Sequence, residues 1–118
     1  MVPSISDAGK KLRLMSAVAL AQIKLGKYSE ATPWIAQVFA LAEDLFMRER
    51  RENPAEPSYA LTGYDELSDL TENLSETEAQ QSPLIARIET VSDEVLRARL
   101  LTAFAKGALH ESALHHVN

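Results

Sequence analysis

The stretch LGKYSEATPWI, Leu25 to Ile35, decides how the chain is read. A helix-like run ends at Gly26, and a second apolar run starts almost at once. Glycine reaches the left-handed backbone region at little cost and is the usual residue just past a helix end. Upstream, Leu12, Met15, Ala19 and Ile23 recur every three or four residues, which places them on one stripe of a helix. Ser6 or Asp7 can cap that helix, and it runs to about Leu25. The alanines at 17, 19 and 21 leave room for close helix approach.

Downstream, either Ser29 or Thr32 can cap the next helix, the latter with Pro33 at the first helical position, where its missing N–H is no loss. The second stripe is Trp34 or Ile35, Val38, Leu41 or Ala42, Leu45 and Phe46. Arg48, Arg50 and Arg51 sit near its C-terminal end, where positive charge suits the helix dipole, and Asn53-Pro54 ends it. The opening stretch therefore predicts a tight turn between two antiparallel helices.

Beyond the hairpin, Asn53 to Gly63 reads as a loop. Tyr64 to Leu74 has Leu67, Leu70 and Leu74 at helical spacing and reads as a short acidic helix. Ser75 to Ser82 is polar and reads as a mobile connection, with Pro83 opening a short helix from Leu84 to about Thr90. Ser92 reads as a cap with Asp93 and Glu94 in the first turn behind it. The following helix uses Val95 or Leu96, Arg99 or Leu100, Ala103 and Phe104, with a break at Gly107 and a last piece from Leu109 to Val117.

The composition agrees with an all-α fold. Four glycines, five prolines and seven aromatics are spread among many Ala, Leu and Glu, and Val, Ile and Phe are too scattered for a sheet. A length of 118 residues predicts a single helical domain of four to six helices, built from antiparallel hairpins as a compact bundle. Its parts are an N-terminal hairpin (1–52), an acidic connection (53–82) and a C-terminal helical segment (83–118).

The net charge of −5 is segregated: Glu52 to Ala86 holds eight acids and no base. That balance argues against nucleic acid or an anionic membrane as partner. No apolar run reaches the ~20 residues of a membrane span. KKLRLMSAVALAQ, Lys10 to Gln22, has the basic start and Ala-Leu-Ala end of a secretory signal. Ser16 interrupts it and polar residues precede it, so it reads as an amphipathic helix. The absence of cysteine excludes disulfides and thiolate chemistry and fits a reducing, cytoplasmic setting.

Candidate chemistry is sparse. His110-Glu111 and His115 approach the His-Glu-x-x-His zinc motif, but five residues separate the histidines, a divergence of about 140°. Asp65, Asp69 and Glu72 lie at helical spacing without the glycine of a calcium loop. The glycines are isolated, so no phosphate-binding loop forms. The expectation is no catalytic residue, no cofactor and no metal.

ISDAGKKLRLMSAVA from Ile5 and VSDEVLRARLLTAFA from Val91 share a pattern, each followed by a glycine and a second run, GKYSEA and GALHES. Ala19, Gly26, Tyr28, Ala31 and Phe39 fall where a tetratricopeptide repeat keeps its small, turn and large apolar residues, so Leu12 to Glu43 resembles one such repeat. Glu43 stands where that repeat keeps a proline, and the second copy has Leu100 and Ser112 at its small places. The resemblance implies a peptide-binding face on Arg13, Ser16, Leu20 and Lys24, with Arg97, Leu101 and Phe104 in the second copy. It thus implies a non-catalytic adaptor that binds another protein or itself, as in a homodimer. The alternative is a small immunity, inhibitor or chaperone-like bundle whose acidic segment docks on a basic partner.

Overall fold

The computed structural model describes residues 5–116, with side chains described for residues 7–110. The fold is all-α: α1 (Ile5–Lys24), α2 (Tyr28–Glu52), α3 (Tyr64–Ser75), α4 (Glu78–Glu89) and α5 (Glu94–His116). One 3-10 turn, Ser58–Ala60, lies between α2 and α3, and no strand occurs among the described residues. The chain divides after Leu67 into two compact units.

In the first unit α1 and α2 pack along one another as an antiparallel hairpin. Gly26 takes φ +74°. Its N–H donates to Ile23 O at 3.0 Å, and the Lys27 N–H donates to Gln22 O at 2.8 Å. This pair is the Schellman arrangement, which satisfies the last carbonyls of α1 and reverses the chain in three residues.

The turn delivers the chain straight into α2, which starts at Tyr28 with Lys27 as N-cap and no side-chain cap. Neither Ser29 nor Thr32 is used as the cap, because both already lie inside the helix. The Thr32 hydroxyl instead donates back to Tyr28 O at 2.9 Å. Pro33 is therefore the sixth helical residue, not the first, and its missing N–H leaves the Ser29 carbonyl without that ladder bond. At the other end of the hairpin α1 is already under way at Ile5, so Ser6 and Asp7 lie within its first turn rather than ahead of it.

The hairpin core interleaves Leu12, Met15, Ala19 and Ile23 with Ala31, Val38, Phe39, Ala42, Leu45 and Phe46, all buried. Alanines 19, 31 and 42 are fully buried and let the helices approach closely. Trp34, Ile35 and Leu41 are half-buried at the edge of this stripe.

The segment after α2 is anchored to it. The Glu49 carboxylate accepts from the Thr62 backbone N–H and from the Thr62 hydroxyl at 2.6 Å. Arg50 lies over the Phe46 ring, 5.6 Å from its centroid, and donates to Glu56 O at 2.7 Å and to the Ser58 hydroxyl. Leu61, within this strap, is buried. Gly63 has φ +97°, and a Cβ there would stand 2.6 Å from Ala42 O, so only glycine lets the strap lie this close to α2.

In the second unit the remainder of α3, with α4 and α5, buries Leu70, Leu74, Leu84, Ile88, Val91, Leu96, Leu100 and Ala103. Three sequence expectations are corrected here. Helix α4 begins at Glu78, so most of the supposed mobile connection is helical and Pro83 is its sixth residue. Gln81 Nε2 donates to Ser75 O at 2.8 Å and ties the α3–α4 corner together. The cap of α5 is Asp93 rather than Ser92: Asp93 Oδ1 accepts from the Leu96 N–H at 2.9 Å. Helix α5 also runs through Gly107 without a break. That glycine is buried against α3, where a Cβ would overlap the Ser75 hydroxyl and the Glu72 carbonyl oxygen. Its role is close approach between helices, not termination.

Candidate interaction surfaces

The seven residues expected to meet a partner fall in the two separate units. On α1, Arg13 and Lys24 are exposed and Leu20 is half-buried. Ser16 is 4% exposed, part of the helix face packed into the hairpin, and so is not available to a peptide. On α5, Leu101 is exposed and Phe104 half-buried. Arg97 is half-buried and donates to Val91 O at 2.8 Å, which bridges the α4–α5 turn.

Two clefts open beside α1 in the first unit. One, of about 440 Å³, has polar walls that include Arg13, Glu49, Tyr59, Thr62, Asp65 and Glu66. Glu49 is committed to Thr62 there, which leaves Asp65 and Glu66 as the other carboxylates of the wall. The other, of about 340 Å³, lies between α1 and α2 and is lined by Lys11, Met15, Gln37, Ala40, Leu41 and Asp44. Asp44 pairs with Arg48 at 2.9 Å.

Both long surface helices carry apolar side chains on the face turned away from their packing. On α1 this is Leu14, 69% exposed, continued by Leu25, 71% exposed, one residue past the helix end, where its N–H still donates to Ala21 O at 3.2 Å. On α5 the buried face is Leu96, Leu100, Ala103 and Gly107, and the opposite face presents Val95, Ala98, Leu101, Thr102, Ala105 and Leu109. Val95 is 56% exposed and Leu109 69% exposed, and no charged residue interrupts that outer stripe between them. Sequence reading picked out Leu101 but missed the rest of this face, because apolar residues on two opposite faces of a helix show no single periodic stripe.

Two acids of the segment lie close to side chains of α5. Lys106 Nζ lies 3.7 Å from Glu72 and His110 Nε2 lies 3.9 Å from Glu76. Among the described residues no group of three or more His, Asp or Glu side chains is arranged to hold a metal ion, and no helix is long and apolar enough to cross a membrane. His115 and His116 fall outside the described side chains. No protein family, curated protein or solved structure matches the chain.

Proposed function

We propose that the chain is a non-catalytic protein–protein interaction domain that engages another protein, or a second copy of itself, through a bare helical face. The observation that carries this reading is α5, which is apolar on two opposite faces while only one is covered. Contiguous exposed apolar patches mark contact surfaces. The outer stripe from Val95 to Leu109 spans about 21 Å, enough to lie along a partner helix. Absence of cysteine suits a reducing compartment such as the cytoplasm for this role.

The test combines light scattering across a concentration series with affinity capture, using the wild-type chain and a Val95→Lys/Leu109→Lys variant. Both substitutions are on exposed positions and leave the core intact. The expected result is a complex, either with itself or with a distinct protein, that the variant loses. A chain that stays monomeric and captures the same proteins as its variant refutes the reading.

A further inference from the structure

Helix α1 buries Ala8, Leu12, Met15, Ser16, Ala19 and Ile23 on one side. At ~100° per residue, Leu14, Ala17, Val18, Ala21 and Leu25 fall within an arc of about 100° on the opposite side. Val18 is half-buried and the other four are exposed. The alanines lie between the two leucines, so the stripe is a shallow seat with a raised apolar residue at each end. Such a seat admits the close interaxial distances of packed helices.

The rim of this seat is basic. Arg13 and Lys24 border one edge, Lys11 borders the other, Lys10 stands in the arc itself one turn before Leu14, and Lys27 follows its end; all five are exposed. Asp7 is the only acid in residues 5–27. The neighbouring elements supply Asp44, which is paired with Arg48, Glu49, which is bonded to Thr62, and Asp65 and Glu66 beside Arg13. Those last two share a cleft wall with Arg13, and Glu30 follows Lys27 by three residues, so the positive field rests chiefly on Lys10, Lys11 and Lys24.

From this we infer that the outer face of α1 is a docking surface for an acidic amphipathic helix of another protein. The inference rests on the interaction reading above, but on a different helix. Charge complementarity selects the partner, since basic flanks around an apolar seat attract a segment with leucines on one face and Asp or Glu beside them. The chain's own acidic helix does not fit, because Leu67, Leu70 and Leu74 of α3 are all buried and leave no apolar face to offer. An anionic membrane fits less well, because the seat has two leucines and no aromatic anchor.

A displayed library tests this. Its members are helical segments of about five turns, ~18 residues, with a fixed leucine stripe and flanks randomised among Glu, Lys, Gln and Ser. Selection against the full chain should enrich Glu over Lys at the flanks by about tenfold. A Glu-flanked winner should bind about tenfold more weakly at high salt, and about tenfold more weakly to a Leu14→Ser/Leu25→Ser variant of unchanged circular dichroism. A Lys10→Glu/Lys24→Glu variant should select Lys flanks instead. Winners with neutral or basic flanks, no winners above background, or binding indifferent to Leu14 and Leu25 overturn the inference. Co-sedimentation with phosphatidylglycerol vesicles that needs Leu14 and Leu25, without any winner, overturns it in favour of a lipid surface. Binding lost in Val95→Lys/Leu109→Lys but kept in Leu14→Ser/Leu25→Ser defeats this inference alone and leaves the α5 reading standing.

Discussion

Replacing Gly107 with alanine sets two effects of opposite sign against each other. In an isolated helix the change is favourable by about 1 kcal/mol, since alanine orders at less entropic cost than glycine. In this chain the new Cβ overlaps Glu72 O and the Ser75 hydroxyl, and stands 3.1 Å from the Glu72 carbonyl carbon. Ser75 can rotate away, at the expense of the 2.9 Å bond its hydroxyl donates to Glu72 O. The carbonyl is backbone and cannot rotate away, so α5 has to withdraw from α3, loosening Leu100 and Ala103 in the same face. Overpacking of this kind costs roughly 1–3 kcal/mol and sometimes more, against which the helix gain is set. The difference is about 0–2 kcal/mol, and the backbone overlap puts Gly107→Ala toward the upper end of that loss. Gly9→Ala is the control: it too lies within a helix, but its Cβ would meet only Thr62 Cγ2 at 3.8 Å, an ordinary contact. It should gain about 0.5–1 kcal/mol. Urea unfolding of both variants, followed by far-ultraviolet circular dichroism, reads the two signs. Gly107→Ala as stable as the wild type, or more so, would refute the close approach of α5 to α3.

Two further outcomes follow from local geometry. Asp93→Ala removes the acceptor for the Leu96 N–H and should cost about 1 kcal/mol, whereas Ser92→Ala should be near neutral; thermal unfolding of the pair identifies the cap. Glu49→Ala strips both partners from Thr62, so it should cost about 1–2 kcal/mol and speed hydrogen exchange at the Thr62 amide, while exchange in α5 stays unchanged.

What the sequence determines here is local. Gly26 ends α1 because the left-handed backbone it adopts is a property of the residue itself, and the leucine spacing marks α3 without any knowledge of its neighbours. The basic rim of α1 is likewise legible, as Lys10, Lys11, Arg13 and Lys24 in one helical run. Elements that punctuate the sequence were harder. Pro83 reads as a helix start because proline is at ease in a first turn, yet as the sixth residue of α4 it gives up a single ladder bond. Gly107 reads as a helix stop, when its missing Cβ is instead the space that α3 fills.

Burial belongs to the tertiary structure. Ser16 and Arg13 are three residues apart, and nothing in their types says that one faces the hairpin core and the other solvent. Thr62 finds Glu49 across thirteen residues of chain, and the strap between them folds onto α2 because Gly63 admits the Ala42 carbonyl. Helix α5 offers apolar side chains to two sides, and only packing chooses which one is covered. Backbone preference acts between neighbours in sequence and can be read there. The choice of a buried face depends on volumes and partners that come together only when distant segments meet.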